Sequence, residues 1–143
     1  MAKIVVVDDE KINLKLVELA LADNYEVVSF SDPESFIDFL HEDTSSDLFI
    51  LDIMMPGTGG DELRAQLKDI HTLRHVPVIV QTALDLRDDR IKDIEGKFYY
   101  LKKPYSSAEL RAMVEKALSS VDKSDQKQGF TPGELSQRTS SWE

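Results

Sequence analysis

The 143-residue chain contains no cysteine. A disulfide framework, a thiol nucleophile and a zinc–thiolate site are therefore excluded. No apolar run approaches the length of a membrane-spanning helix. The opening Met1-Ala2-Lys3 leads straight into an apolar stretch and lacks a signal-peptide pattern. Basic charge is scarce, with 17 Lys and Arg against 27 Asp and Glu and a formal net charge of −10. A free-standing nucleic-acid binder needs a basic face, and so does a binder of anionic membrane surfaces, so neither partner is expected. The G-x-G-x-x-G of a dinucleotide-binding fold is missing after the first apolar run. What remains is a soluble cytoplasmic protein, whose 41% hydrophobic residues suffice for one packed domain.

What is present is a repeated design. Leu48-Phe49-Ile50-Leu51 is an apolar run ending in Asp52, and Ile53-Met54-Met55-Pro56-Gly57 follows as a turn signal. Ile4-Val5-Val6-Val7 is a second such run, ending in Asp8-Asp9. Both read as strands buried on two faces, as in a parallel sheet. A carboxylate at the end of a buried strand is costly unless its charge is offset. Neighbouring parallel strands would bring Asp8, Asp9 and Asp52 to one edge. An all-oxygen cluster of that kind suits Mg²⁺ or a similar hard cation.

The intervening segments alternate between helix and strand. A helix is predicted from Lys11 to Ala22, with Ile12, Leu16, Leu19 and Ala20 as its buried face and Asp9 as its cap. Tyr25 to Phe30 reads as a strand. Ser31-Asp32-Pro33 opens a helix that buries Phe36, Ile37, Phe39 and Leu40, with Pro33 at its first position. His41 to Asp47 is a polar connector. Beyond the Gly57 to Gly60 loop, a helix from Asp61 to Ile70 precedes a strand from Val76 to Gln81 that ends at Thr82-Ala83. A helix from Asp88 to Glu95 stops at Gly96. Phe98 to Leu101 is the fifth strand, ending in Lys102-Lys103-Pro104. Ser106 and Glu109 have capping-box spacing ahead of the stripe Leu110, Met113, Val114, Ala117 and Leu118. Alternation turns one of Tyr99 and Tyr100 inward and the other outward. His41, His71 and His75 fall in connectors and carry no chemistry.

Five strands alternating with five helices predict an α/β domain with a parallel sheet. Ligands of such sheets bind at the carboxyl ends of the strands, where the strand order reverses. Asp8, Asp9, Asp52, Thr82 and Lys103 all fall at those ends. Residues 1–121 make the domain, and residues 122–143 a polar tail or linker with Phe130, Leu135 and Trp142 as its large apolar residues.

Val7-Asp8-Asp9-Glu10, Leu51 to Gly57, Gln81-Thr82-Ala83 and Lys103-Pro104, each at a strand end and in this order, resemble the receiver (CheY-like) domain of bacterial two-component response regulators. The resemblance spans residues 1–121. It implies a doubly wound, flavodoxin-like five-stranded sheet in the order 2-1-3-4-5 with helices on both faces. It implies Asp52 as the phosphoacceptor, served by a sensor histidine kinase or phosphotransfer protein. Asp8 and Asp9 would hold Mg²⁺ with Asp52 and the backbone carbonyl of Met54. Lys103, the Thr82 hydroxyl and the Ala83 backbone N–H would contact the phosphoryl oxygens. Thr82 and Tyr100 would form the switch, a cis bond would join Lys103 to Pro104, and helix 4, strand 5 and helix 5 would form the output face.

Physical chemistry fits these roles, since phosphoryl transfer needs its oxygens neutralised and the attacking oxygen placed in line. The implied partners include a downstream protein or an output domain of the same protein, with room for a dimer that forms on phosphorylation. No enzyme activity is implied beyond self-catalysed phosphoacceptance and autodephosphorylation. The side chains two beyond Asp52 and Thr82 are Met54 and Leu84, both apolar. Two alternatives remain: the N-terminal regulatory piece of a larger response regulator, and a Mg²⁺-dependent, phosphatase-like enzyme on a related fold. The second would want an acid where Met54 stands.

Overall fold

The computed structural model describes residues 1–54, 75–92 and 97–124. In chain order the described elements are β1 (Lys3–Val7), α1 (Lys11–Leu21), β2 (Glu26–Phe30), α2 (Pro33–Glu42), β3 (Leu48–Asp52), β4 (Val78–Thr82), α3 (Asp89–Lys92), β5 (Tyr99–Lys102) and α4 (Ser107–Ser124). The helix expected from Asp61 to Ile70, the Gly57 to Gly60 loop, Gly96 and most of the 122–143 tail lie outside the described residues. The label α3 therefore belongs to the fourth helix expected from the sequence.

The strands form one sheet in the order β2-β1-β3-β4-β5, with every neighbouring pair parallel. All residues of β3 and β4 are buried, as near-continuous apolar runs require when both faces of a parallel sheet are covered. Alternation along β1 divides the core. Val5 and Val7 pack with Phe36 and Leu40 of α2 and Ile91 of α3. Ile4 and Val6 pack on the other face with Val17 of α1 and Val114 of α4. Each fully buried aliphatic side chain contributes about 1.5–3 kcal/mol. The central strands thus form the rigid floor on which the strand ends are set.

Local signals start two of the helices. Asp32 accepts a hydrogen bond from the Ser35 backbone N–H at 2.8 Å, with Pro33 beginning α2. Ser106 and Glu109 cap α4 reciprocally: the Ser106 N–H donates to Glu109 Oε1, and the Glu109 N–H donates to Ser106 Oγ. The α4 stripe is inward as expected, with Leu110, Met113, Val114 and Ala117 buried. The Lys103–Pro104 bond is cis.

Several expectations need correction. In α1 the buried residues are Leu14, Val17 and Leu21, whereas Ile12, Leu16 and Leu19 are 79%, 53% and 68% exposed. Ala20 is half-buried against the core. Both sets recur at helical spacing, so periodicity identifies the helix but not which stripe meets the sheet. Asp9 does not cap α1; Glu10 occupies that position without a side-chain cap bond. Tyr99 and Tyr100 point to opposite faces, yet both are buried, because helices cover both sides of the sheet. β4 begins at Val78 and includes Thr82, and His41 belongs to the last turn of α2 rather than to a connector.

Candidate functional site

The parallel register brings the carboxyl ends of the strands level. Val7 of β1 pairs with Leu51 of β3, so the next residues, Asp8 and Asp52, stand side by side. Asp52 pairs with Gln81 of β4, and Thr82 pairs with Lys102 of β5. Sheet order reverses between β1 and β3, which makes this edge the crevice where ligands of doubly wound sheets bind.

Asp8 is fully buried and Asp52 is 3% exposed. Lys103 brings its ammonium between them, 2.8 Å from Asp8 Oδ2 and 2.9 Å from Asp52 Oδ2, and it also reaches Glu10 Oε1 at 2.8 Å. Carboxylate oxygens of Asp8, Glu10 and Asp52 lie within 4.8 Å of one another. Such a group repels itself, and Lys103 offsets part of that repulsion. Burial pushes the Asp52 carboxyl above its ordinary value; the Met54 N–H and the Lys103 ammonium oppose the shift without cancelling it. Burial alone would lower the Lys103 ammonium, but its hydrogen bonds to Asp8, Glu10 and Asp52 hold it above its ordinary value. Lys103 stays charged and Asp52 is primed to gain from added positive charge.

The turn after β3 is tied to the Asp52 carboxylate, because the Met54 N–H donates to Asp52 Oδ1 at 2.8 Å. The Met54 side chain is 46% exposed. Thr82 is fully buried at the end of β4, and its Oγ1 accepts from the Leu84 N–H at 3.2 Å. Ala83, between them, is exposed. Tyr100 is buried and its hydroxyl donates to the Leu84 carbonyl.

Asp8, Asp52, Thr82 and Lys103 therefore converge as the sequence predicts. Asp9 lies one residue beyond Asp8 but is exposed, and Glu10 is the acid whose oxygen joins the cluster. The Glu10 N–H bonds Asp8 Oδ1 at 2.9 Å, which turns the chain so that residue 10 faces Lys103. Sequence reasoning assigned no role to Glu10, Asn13, Gln81 or Tyr105. Asn13 Nδ2 donates to Asp8 Oδ2 at 2.7 Å and to Gln81 Oε1 at 2.9 Å. Gln81 Nε2 donates to Asp8 Oδ2 at 3.2 Å, and the Tyr105 hydroxyl donates to Gln81 Oε1. Burial pushes the Tyr105 phenol up to about 12, so it is a hydroxyl donor across the ordinary pH range. A signal for Gln81 existed, an amide inside an apolar strand, whereas nothing local marks Asn13.

A doubly wound sheet with a buried acid at the end of its central strand, further acids beside it and a lysine among them defines the class: an α/β domain with an acidic, lysine-braced site at the carboxyl edge of its sheet. Residues 4–115 match the family model described as the response regulator receiver domain, and the chain belongs to that family. It therefore takes part in two-component phosphorylation signalling. Among curated proteins it is similar to the response regulator PleD of Caulobacter vibrioides, 42% identical over 115 residues, covering 79% of this chain and 25% of that protein. The chain thus spans about a quarter of the length of the curated relatives it matches. Many solved structures share the fold. The chemotaxis protein CheY4 of Vibrio cholerae has a TM-score of 0.75 and 23% identity, covering 82% of this chain and 99% of that one. The receiver domain of sensor histidine kinase PA1611 from Pseudomonas aeruginosa, with a magnesium ion coordinated in its active-site cleft, has a TM-score of 0.74 and 24% identity, covering 83% and 98%. No described helix is long and apolar enough to cross a membrane.

Proposed function

We propose that this domain accepts a phosphoryl group on Asp52 from a phosphohistidine of a sensor kinase or phosphotransfer protein and signals through the face formed by α3, β5 and α4. The observation that carries the proposal is the Asp52 carboxylate itself. It is buried at the end of the central strand, 2.9 Å from the Lys103 ammonium and beside Asp8. Lys103 can move from the acids to an arriving phosphoryl oxygen, acting as a point charge. Thr82 can turn its hydroxyl to the same group, and the Ala83 backbone N–H adds a donor.

The acids fit a hard divalent cation, since Asp8, Glu10 and Asp52 offer only oxygen within 4.8 Å. Asp8, Asp9 and Asp52, with the Met54 carbonyl, are the proposed ligands of Mg²⁺; the ion coordinated in the PA1611 receiver supports that reading. Bound there, Mg²⁺ would neutralise charge on the phosphoryl oxygens. The output is proposed to be a protein partner or an attached domain, or a dimer formed on phosphorylation. The location is proposed to be cytoplasmic. The chemistry is self-catalysed acceptance and hydrolysis rather than turnover of a diffusible substrate.

The test is incubation with a small acyl phosphate and Mg²⁺. One equivalent of acid-stable acyl phosphate per chain is expected, lost in Asp52→Asn. Donor turnover without accumulation of labelled chain would favour an enzyme, and undiminished labelling of the Asn variant would remove Asp52 from the role.

A further inference from the structure

Gln81 is fully buried in β4, where Val78, Ile79 and Val80 precede it as an apolar run. A buried amide destabilises the fold unless its polar atoms find partners. Here they do, through residues from three separate segments. Gln81 Oε1 accepts from Asn13 Nδ2 of α1 at 2.9 Å and from the Tyr105 hydroxyl beyond β5. Its Nε2 donates to Oδ2 of Asp8, at the end of β1. With two donors facing one end of the amide, only one orientation avoids opposing hydrogens. The nitrogen is therefore turned toward Asp8.

Asp8 Oδ2 receives three donors: Asn13 Nδ2 at 2.7 Å, Lys103 Nζ at 2.8 Å and Gln81 Nε2 at 3.2 Å. The lysine is shared with Glu10 and Asp52, so it is the donor that must be redistributed when charge is added at the acceptor. The two amides are neutral, and besides Asp8 they bond only each other and the Tyr105 hydroxyl among the described contacts. From this arrangement we infer that Gln81 is a positioning residue, which, locked by Asn13 and Tyr105, holds the Asp8 carboxylate in one rotamer while Lys103 changes partners. The inference rests on the proposed role of Asp8 in binding Mg²⁺.

The experiment is an NMR titration of metal-free protein with Mg²⁺ alone, on wild type, Gln81→Met, Tyr105→Phe and the double variant. Melting in the absence of Mg²⁺ is followed alongside. Gln81→Met should weaken the Mg²⁺ Kd about tenfold, equivalent to about 1.4 kcal/mol, and Tyr105→Phe roughly threefold. The double variant should bind no more weakly than Gln81→Met, because Tyr105 acts through the amide that Met lacks. Independent structural losses would instead add. Wild-type affinity in Gln81→Met, or additive losses in the double variant, would overturn the positioning role while leaving the metal site intact. If wild type itself binds no Mg²⁺, the metal reading fails, and this inference falls with it. Should Gln81→Met melt below the working temperature, Tyr105→Phe decides alone, and unchanged affinity there overturns the inference.

Discussion

Thr82 and Tyr100 grip the same residue from two sides: Thr82 Oγ1 accepts from the Leu84 backbone N–H, and the Tyr100 hydroxyl donates to the Leu84 carbonyl. The hydroxyl at the strand edge and the aromatic side chain of β5 are thereby linked through one stretch of backbone. A Thr82 side chain drawn toward Asp52 would release the Leu84 N–H and disturb the carbonyl that holds Tyr100. Tyr100→Phe removes that donor and should cost about 1 kcal/mol of stability. Labelling of Asp52 should survive, while the NMR shifts that phosphorylation causes in α3, β5 and α4 should shrink. Full-size shifts in the Phe variant would show that the Tyr100–Leu84 bond carries none of the response.

Mg²⁺ should stabilise the native state by mass action, by about 2.7 kcal/mol at a hundredfold excess over its Kd. Asp9→Ala should lose that gain in melting temperature, whereas Glu10→Gln, which removes an exposed acid already engaged by Lys103, should keep most of it. The reverse ranking would assign the ligand role to the Asp8, Glu10 and Asp52 group that the structure draws together.

The two apolar stripes of α1 should respond very differently to truncation. Leu21 is fully buried, and Leu21→Ala should cost about 2–5 kcal/mol. Leu16 is 53% exposed, and Leu16→Ala should stay within about 0.5 kcal/mol of wild type. Urea unfolding at constant m-value measures both, and equal losses would contradict the observed facing of the helix.

Lys3 joins β1 to the connector after α2 through a 2.6 Å contact with Asp43 Oδ2. Hydrogen bonds from Lys3 and then from Ser45 hold the Asp43 carboxyl far below its ordinary value of 3.8. Its contribution to stability is therefore present above pH 3.8 and is lost as pH falls through the lower native value. The hydrogen bond to Asp43, opposed by burial, raises Lys3 above 10.5, so the pairing persists below that pH and fades only in stronger base. Asp43→Asn should melt lower than wild type at neutral pH, and the two curves should converge in acid. A gap that stays constant from neutral pH to pH 2 would mean that charge on Asp43 is not responsible.

Hydrolysis of an aspartyl phosphate needs a water aligned for attack on phosphorus. Met54 is partly exposed beside Asp52, and Leu84 is half-buried beside Thr82; neither can orient a water by hydrogen bonding. The phosphoryl group on Asp52 should therefore be long-lived. Met54→Asn with Leu84→Glu should shorten its lifetime about tenfold, or about 1.4 kcal/mol of barrier. Loss of label after donor removal at constant Mg²⁺ is the measurement, and an unchanged decay rate would show that water access is not limiting.

The apolar runs that end in Asp8 and Asp52, the Asp32 and Ser106 caps and the alternation of strands with helices were legible in the sequence because each depends on neighbours a few residues away. So was the convergence of Asp8, Asp52, Thr82 and Lys103, since every strand of a parallel sheet ends at the same edge. Facing was another matter. Ile12, Leu16 and Leu19 share helical spacing with Leu14, Val17 and Leu21, and packing against the sheet and α4 chose the second set. Tyr99 and Tyr100 are both buried because helices cover both faces, which no alternation within β5 reveals. The shell around Asp8 is likewise tertiary: Asn13 and Tyr105, 92 positions apart, meet at Gln81 only because the parallel sheet brings the ends of β1, β3, β4 and β5 to one edge. Local sequence dictates where carboxylates stand along the chain, but hydrogen bonds between distant segments decide how each carboxylate is held.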